Sequence, residues 1–481
     1  MAGTFLASLD VTVVGVAMPT IAAKLGRLDL YGWVFSIYLF LSTVTVPLYG
    51  RLADGWGTRR TYLAGLAVFV VGSLACGLAP SMPALVAARA IQGVGAGALV
   101  PVTLIAIGRM YEVTVRARIM SAFSLVWGVS SVAGPAIGGV LLKLGWPWIF
   151  LVNVPIGAVV ALALWLAWAE PAPEARASLR GTLRLGATAA LTLATGAGLA
   201  ALKTVSTGAW GLSALLFASC LAFTALFKRL DAADRDEGAI FPAEVVRDRP
   251  IRIAASSGVF LGGALFVPVA FVPLFMRVVL GESARNAGFA LIPMSLLWTG
   301  GAFFSARWIH RAGYRAPVIA GSAAVALSGA MLLAGVALTS GALVVLGGAM
   351  LGIGMGLSVT ATNVLAQERV GASRKGAATA LLQFVRTMGG TVFVSALGLV
   401  LSTVVTRAVG PAAASRLGDD VGASGELDVA MRVAVTRGLT WVFGGRPCAR
   451  PLCSGSRCAS LVWIARAKTS ILRRTNLEEE L

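Results

Sequence analysis

Apolar runs of about 20 residues recur along the whole chain, and they limit what it can fold into. A run of about that length crosses the core of a bilayer as a helix. Only 13% of the 481 residues are charged, against roughly 25% in soluble domains, so a water-facing exterior could not be covered. The sequence therefore predicts an all-α polytopic membrane protein. About thirteen spans are expected, at 1–23, 31–50, 61–79, 83–107, 119–142, 148–169, 184–202, 209–227, 251–280, 286–306, 316–338, 341–366 and 376–405.

Basic residues are concentrated in every second loop. As far as span twelve, the loops after even-numbered spans carry 21 Arg and Lys residues and those after odd-numbered spans carry six. Cytoplasmic loops are enriched in these residues, so we expect a cytoplasmic amino terminus. The net charge of +19 forms no continuous basic face with interleaved aromatic residues, so no nucleic acid partner is expected.

A six-residue pattern occurs twice, in loops eight spans apart. DGWGTR begins at Asp54 and HRAGYR at His310, and each has Gly fourth and Arg sixth. Two equivalent loops indicate two related halves, as in transporters built from repeats. We interpret residues 50–60 as a tight turn in which Gly55 and Gly57 permit the reversal and Asp54 lies near the arginines that follow. This loop is either a gate or a basic loop that only sets topology.

Asp10 places a carboxyl group inside the first apolar run, FLASLDVTVVGVAMPTIAA. A charge at the bilayer centre costs about 2.5–3.5 kcal/mol on insertion scales, so Asp10 should face the protein interior or a water-filled cavity. Desolvation favours the protonated form of a carboxyl group, which would let Asp10 bind and release a proton near neutral pH. The alternative is a packing role, with the carboxylate hydrogen-bonded to a neighbouring helix.

Two arginines also lie inside apolar spans. Arg89 and Gln92 are three residues apart and share one helix face, beside glycines that let another helix approach. Arg89 could attract a nearby acid, or it could reach a membrane face with its guanidinium. Arg386, next to a Gly-Gly pair, lies either on a substrate or ion pathway or in a structural pair.

Residues 128–139, GVSSVAGPAIGG, concentrate Gly and Pro in one span. In a soluble helix each Gly costs about 1 kcal/mol and Pro about 3, so these residues persist where close packing or a bend offsets the cost. The pattern fits either a kinked, closely packed helix pair or a moving seam between helices.

The hydrophobic pattern breaks down near the carboxyl end. A fourteenth span is expected from Leu439, but Arg446, Pro447 and the residues after them are incompatible with a lipid-exposed helix. The residue composition of 446–481 resembles that of a translated shifted reading frame or of a disordered tail. CARPLCSGSRC lacks the paired spacing of a zinc site, so no metal is expected. At the other end, the first run has no basic region before it, and no cleavable signal peptide is expected.

Five motifs, taken in order, resemble those of the major facilitator superfamily. The loop at Asp54 is similar to the signature between helices two and three, RAIQGVGAG to the helix-four motif, and GVSSVAGPAIGG to the antiporter motif of exporters. LDVTVVGVAMPTI and WPWIFLVNVPIG resemble the fourteen-helix drug:proton antiporters of the EmrB/QacA type. The resemblance covers residues 5–443. It implies a major facilitator fold of two six-helix bundles with two linker helices between them.

The resemblance also implies a function and its sites. Proton entry would drive export of drugs or amphipathic metabolites across the cell membrane by alternating access, in a monomer without a cofactor. The candidate proton-coupling and substrate residues are Asp10, Arg89, Gln92 and Arg386, of which the resemblance implies Asp10 and Arg89. The implied antiporter motif is Gly128, Gly134, Pro135, Gly138 and Gly139. The implied cytoplasmic gate is Gly50, Asp54, Gly57, Arg59 and Arg60.

The expected domains are an N-terminal bundle at 1–169, two linker helices and a cytoplasmic loop at 170–250, a C-terminal bundle at 251–445 and the aberrant tail at 446–481. Because the last helix is disrupted, a non-transporting relic or a membrane sensor of the same fold is an alternative. A membrane-embedded transferase would need a catalytic cluster, which the single histidine, His310, does not provide.

Overall fold

The computed structural model consists of helices joined by short turns in the residues it describes. Those residues are 2–25, 31–111, 115, 119, 126, 129–130, 133–134, 137–168, 185–206, 209–232, 239–282, 284–409 and 429–442. In chain order the helices are α1 Ala2–Leu25, α2 Tyr31–Val44, α3 Val46–Trp56, α4 Thr58–Gly77, α5 Met82–Met110, α6 Trp148–Leu151, α7 Asn153–Ala167, α8 Leu185–Ser206, α9 Trp210–Ala232, α10 Ala243–Arg247, α11 Arg249–Leu274, α12 Ala284–Phe289, α13 Ile292–Ala312, α14 Arg315–Ala337, α15 Gly341–Glu368, α16 Lys375–Val409 and α17 Val429–Val442. A π-helical turn, Phe275–Val279, continues α11.

Within the described ranges, nine helical segments are long and apolar enough to cross a membrane. The prediction of an all-α polytopic membrane protein is thereby confirmed. Each predicted span contains a described helix, although span 119–142 lies mostly outside the described residues and only its end, 137–142, is described continuously, as helix.

The helices pack as two groups with a pair between them. Helices α1–α7 contact one another in an N-terminal half, and α11 and α13–α17 contact one another in a C-terminal half. The linker helices α8 and α9 pair with each other, and α8 also touches α2 and α16. Helix α16 reaches across to α2, α3 and α5 of the N-terminal half. The domain boundaries given above remain a prediction.

Gly57 and Gly313, the fourth residues of the repeated pattern, make equivalent turns in the two halves. Gly57 separates α3 from α4 with φ of +97°, and Gly313 follows the end of α13 with φ of +69°. Residues with a Cβ atom are strained at such φ values, whereas glycine is not. The repeat therefore corresponds to the same helix–turn–helix geometry in both halves.

The turn at residues 50–60 is shorter than predicted. Gly55 does not take part in the reversal, because α3 continues as helix to Trp56 and α4 begins at Thr58. A single residue in the left-handed region is enough to end an α-helix. The residues from Gly50 to Trp56 therefore form a helix end that can dock against other helices.

The fourteenth helix begins earlier than predicted. Helix α17 starts at Val429, ahead of the expected start at Leu439. Val435 and Leu439 are fully buried in the apolar core that α17 shares with α16 and α11. Helix α17 ends at Val442, before Arg446 and Pro447, the residues that are incompatible with a lipid-exposed helix. The tail 446–481 lies outside the described residues.

Glycines allow the closest helix contacts in both halves. In the C-terminal half, a Cβ atom added at Gly352 of α15 would lie 2.1 Å from the backbone oxygen of Met294 in α13. A backbone atom cannot move aside as a side chain can. Gly329 of α14, in contrast, has no atom of another described element within 4 Å of such a Cβ position.

We expect Gly352→Ala to lower the stability of the C-terminal half and Gly329→Ala to leave it unchanged or slightly higher. Overpacking at a helix contact costs about 1–3 kcal/mol, while Ala is the better helix former where space is open. The melting temperatures of the two purified variants and of wild type, in detergent, measure these changes in stability. Equal melting temperatures for the two variants would contradict the close α13–α15 contact.

Candidate functional site

Asp10 and Arg89 form an ion pair inside the N-terminal half. Asp10 lies in the middle of α1 and Arg89 in α5, and both side chains are completely buried. Nη1 of Arg89 donates to Oδ2 of Asp10 at 2.6 Å. The structure thus places Asp10 in the protein interior, and it places Arg89 away from any membrane face.

Amide side chains complete the surroundings of the carboxylate. Nε2 of Gln92 donates to Oδ1 of Asp10 at 2.9 Å, and Nδ2 of Asn153, at the start of α7, donates to the same oxygen at 3.3 Å. Both amides also donate to the hydroxyl of Ser73 in α4, at 3.1 and 2.9 Å. We call Asp10, Ser73, Arg89, Gln92 and Asn153 the Asp10 cluster.

Arg89 is held from several sides. Its Nε donates to the backbone oxygen of Val34 in α2 at 3.2 Å, and its Nη1 donates to Oε1 of Gln92 at 2.7 Å. The guanidinium lies over the ring of Tyr38, 4.0 Å from the centroid. Its Nη2 has no hydrogen-bond partner in the part of the chain that the structure describes. The arginine is therefore fixed in position but not fully satisfied.

The Asp10 cluster is balanced only while the carboxyl group is ionised. Burying one charge without its partner costs several kcal/mol in proteins. A proton on Asp10 would remove the negative charge and leave Arg89 buried without a counter-ion. The net charge of the cluster therefore depends on whether the Asp10 carboxyl group carries a proton.

Three residues of the 128–139 segment bring its helix against α1 next to Asp10. Oγ of Ser130 accepts a hydrogen bond from Ser8 at 2.6 Å. A Cβ atom at Gly134 would lie 2.1 Å from Oγ1 and 2.6 Å from Cβ of Thr12, and one at Gly138 would lie 3.3 Å from Val13. The described glycines of the motif thus include two that allow close packing.

The other members of the motif differ. Among the described residues, a Cβ at Gly139 would meet no atom within 4 Å, so no described helix contact requires this glycine. Gly128 and Pro135 lie outside the described residues.

Asp54 joins the two halves at the end of the bundle that carries the 50–60 turn. Its Oδ1 accepts from the backbone amide of Gly376 at 2.8 Å and its Oδ2 from that of Ala377 at 2.9 Å. These amides are in the first turn of α16, where free N–H groups and the helix dipole favour a carboxylate. Nη2 of Arg109 pairs with the same carboxylate at 2.6 Å. We call Gly50, Asp54, Arg109, Gly376 and Ala377 the Asp54 latch.

Close backbone contact and two further hydrogen bonds surround the latch. A Cβ atom at Gly50 would lie 2.5 Å from the Cβ of Ala380. Nε2 of Gln367 in α15 donates to the backbone oxygen of Leu104 at 3.2 Å, and Nζ of Lys375 donates to that of Gly108 at 3.2 Å. All of these contacts connect the C-terminal half to α3 or α5. The two halves are therefore closed against each other at this end.

The basic partner of Asp54 is not the one that the sequence predicted. Arg59 donates instead to the backbone oxygen of Trp165 in α7, and Arg60 is exposed. Arg109, distant in sequence, reaches Asp54 because α5 ends beside α3. Sequence proximity gave the wrong partner because Gly57 turns the chain away directly after α3.

Arg386 lies apart from both sites. Among the described residues its side chain donates only to Gln383, one turn earlier in α16. The backbone of this part of α16 packs against α11, since a Cβ at Gly262 would lie 1.9 Å from the oxygen of Arg386. The contact agrees with close packing at this point. A place for Arg386 on a substrate or ion pathway stays a prediction.

A lateral cavity of about 700 Å³ lies between the linker helices and α16. Trp210 and Phe217 of α9 and Phe384 and Met388 of α16 line it. Among the residues that the structure describes, no group of three or more His, Cys, Asp or Glu side chains could hold a metal ion.

Four important residues were not identified from the sequence: Ser73, Arg109, Asn153 and Gln367. Asn153 had the clearest signal, because it is a buried amide within the apolar stretch WPWIFLVNVPIG. Arg109 looked like one more basic loop residue. Ser73 and Gln367 have side chains that occur in many helices without a special role.

We expect Gly134→Ala to reduce folding and function, and Gly139→Ala to be tolerated. The first adds a methyl group against the stiff, β-branched Thr12, and overpacking of this kind costs about 1–3 kcal/mol. The second adds one in open space. Membrane-inserted yield and melting temperature measure the difference, and an equally harmless Gly134→Ala would contradict the α1 contact.

We expect Asp54→Asn to open the latch. Loss of the charge at the first turn of α16 should cost about 1–2 kcal/mol, a 5- to 30-fold change in the closed-to-open ratio. Distances between spin labels on the exposed positions Arg60 and Ser373, in a cysteine-free background, measure that ratio.

Asp248→Asn is the matched control for the latch. Asp248 pairs with Arg369 at 2.9 Å within the C-terminal half. Partial desolvation raises the pKa of Asp248, but hydrogen bonds from Arg369 and from the amide of Ile251 outweigh it and lower the pKa overall. The control therefore also removes a carboxylate charge, and the labels should report the wild-type distance. Identical distances in both variants would show that Asp54 does not hold the halves together.

The comparisons with known proteins agree with this architecture. The family model described as Major Facilitator Superfamily matches residues 1–394. The chain is 30% identical over 404 residues to the multidrug transporter protein MdtP of Bacillus subtilis, covering 83% of this chain and 73% of that protein. It is 31% identical over 411 residues to the efflux pump roqT of Penicillium rubens, covering 82% and 74%.

Solved transporters share the fold at low sequence identity. The human organic anion transporter MFSD10 superposes with a TM-score of 0.60 and 17% identity, covering 92% of this chain and 97% of its own. The proton:xylose symporter XylE superposes with a TM-score of 0.57 and 14% identity, covering 92% and 94%. With the family model spanning most of its length, the chain belongs to the major facilitator superfamily.

Proposed function

We propose that this protein is a proton-coupled secondary transporter that exports drugs or amphipathic metabolites across the cell membrane. Family membership removes the alternative of a membrane-embedded transferase. The observation that carries the proposal is the fully buried Asp10–Arg89 pair, because an ionisable residue inside a membrane helix bundle is a functional site by default.

The coupling step follows from the balance of charges in the Asp10 cluster. When Asp10 is ionised, it neutralises Arg89, and the cluster is closed. When a proton binds, the ion pair is lost, and the helices that carry the two residues no longer attract each other at this point. A cationic substrate and a proton would then compete for the same negative charge, which gives exchange of one for the other.

The energetics are sufficient for uphill export. One proton that moves inward across 100 mV supplies about 2.3 kcal/mol. That corresponds to roughly a 50-fold concentration gradient of a neutral substrate at one proton per molecule. The proposal needs no other cofactor or energy source.

The Asp54 latch supports alternating access. With the amino terminus in the cytoplasm, as the distribution of basic residues favours, the latch lies at the cytoplasmic end, so the described state is closed toward the cytoplasm. Opening there would require Asp54 to leave the first turn of α16 and Gln367 to leave α5. These polar contacts lie beside an apolar one, in which Leu104 and Ile107 of α5 pack with Ile309, Ala361 and Val364 of the C-terminal half, so opening would separate both.

The names of the relatives support an export direction and a small-molecule substrate. The Bacillus subtilis relative is named a multidrug transporter and the Penicillium rubens relative an efflux pump. A monomer is the simplest arrangement, since both halves are supplied by one chain.

We expect Asp10→Asn to abolish proton-coupled export. In proteoliposomes with a pH gradient, addition of a cationic dye should collapse the gradient for wild type, whereas Asp10→Asn should give the response of protein-free liposomes. Asp10→Glu retains an acid and should retain part of the response. Asp248→Asn, which removes a carboxylate outside the cluster, should behave as wild type.

Dye-dependent proton flux that persists in a folded Asp10→Asn variant would assign Asp10 a structural role. Absence of any flux in the wild type, with the protein folded and inserted, would favour the relic or sensor of the same fold.

A further inference from the structure

Asp10 has hydrogen-bond donors around it and very few acceptors. Arg89, Gln92 and Asn153 all present N–H groups to its two oxygens. This arrangement suits the ionised carboxylate, which only accepts. A protonated carboxyl group carries an O–H, and a buried O–H needs an acceptor. Proton binding therefore requires one of the neighbouring side chains to present a hydrogen-bond acceptor in place of a donor.

Arg89 cannot supply that acceptor, because a guanidinium has only donors. Ser73 cannot do so as arranged, because its hydroxyl accepts from both amides and donates to the backbone oxygen of Phe150 at 2.9 Å. Its three hydrogen-bonding positions are all in use.

The two amides differ in how firmly they are held. Oε1 of Gln92 accepts from Nη1 of Arg89 at 2.7 Å and from Sγ of Cys76 at 3.6 Å. Turning Gln92 would break these contacts together with those of its Nε2. Asn153, in contrast, is held in the described structure only through Nδ2, by Asp10 and Ser73. Its contact with Asp10, at 3.3 Å, is also the longest of the three.

We propose that Asn153 is a positioning residue whose side-chain amide turns over with the protonation of Asp10. In the ionised state Nδ2 donates to Oδ1 of Asp10. In the protonated state the new O–H of Asp10 donates to Oδ1 of Asn153, and the amide nitrogen faces away. The proton remains on Asp10 throughout, so Asn153 carries no charge and binds no proton. This inference rests on the proposed proton coupling and adds the group that accommodates both states.

Few other titratable groups face this carboxyl group. They are Arg89 from α5, Tyr38 from α2 and Cys76 from α4. Asn153 is the contribution of α7, and it is an amide. A change at Asn153 should therefore alter the response to pH without adding or removing a charge.

The test compares the pH dependence of dye-driven proton exchange in proteoliposomes for wild type, Asn153→Leu and Asn153→Ser. Leu has a similar size and no polar atom. The bond to the charged form is stronger than the bond to the neutral form, so its loss should move the midpoint of the pH profile upward by about one unit. Ser both donates and accepts, and it should return the midpoint toward the wild-type value.

Asn363→Leu is the matched control. Asn363 is also a buried asparagine, but it lies on α15 in the C-terminal half. Its replacement should leave the midpoint unchanged. A folded Asn153→Leu variant with the wild-type midpoint, or the same shift in Asn363→Leu, would overturn the proposal.

A second measurement follows the two groups by spectroscopy in the wild-type protein and uses variants only to assign the bands. Infrared difference spectra of wild type between acid and alkaline pH, with asparagine isotopically labelled, should show a side-chain amide band that changes together with a carboxyl band. Asp10→Asn should remove the carboxyl band and Asn153→Ser the amide band. A carboxyl band that titrates without any asparagine change would overturn the role of Asn153 and leave the transport function intact. Loss of proton exchange in wild type would count against the transport function itself.

Discussion

The buried ion pair between Asp10 and Arg89 is the constraint on which the N-terminal half depends. Two charges in an apolar helix bundle are tolerated only if each compensates the other and the remaining polar atoms find partners. Helices α1, α4, α5 and α7 each contribute a side chain to that requirement, and α2 contributes a backbone oxygen and the ring of Tyr38. The relative position of five helices is thus tied to one carboxyl group.

The carboxylates of Asp10 and Asp54 differ in which half of the protein binds them. Asp10 is enclosed by side chains of the N-terminal half alone, so its charge acts directly only on contacts within that half. Asp54 is bound by the backbone of the other half, at the first turn of α16, so its contact depends on how the halves are arranged. The first contact lies within one half, and the second depends on how the two halves are arranged. Helix α5 connects the two places, because it carries both Arg89 of the Asp10 cluster and Arg109 of the Asp54 latch.

The sequence predicted best where a residue conflicts with its surroundings. A charge in an apolar run has few permitted environments, so Asp10 and Arg89 could be placed in the interior from the pattern alone. Asn153 and Ser73 do not conflict with a helix, and only the packing of α4 and α7 shows that they face the same oxygen. Arg109 and Arg59 both look like arginines of basic loops, so the sequence does not distinguish them. Only the position of the Gly57 turn decides which of them meets Asp54. The start of α17 was placed too late because burial of Val435 and Leu439 is not visible in a segment that also carries arginines.

Helix α16 runs without interruption for 35 residues, about 52 Å at the usual rise. Its first turn holds Asp54, and its middle forms one wall of the lateral cavity beside the linker helices. Because the helix is this long, a small tilt about one end displaces residues farther along it by several ångströms. Release of the carboxylate at the first turn would therefore change the width of the cavity between α16 and the linker helices.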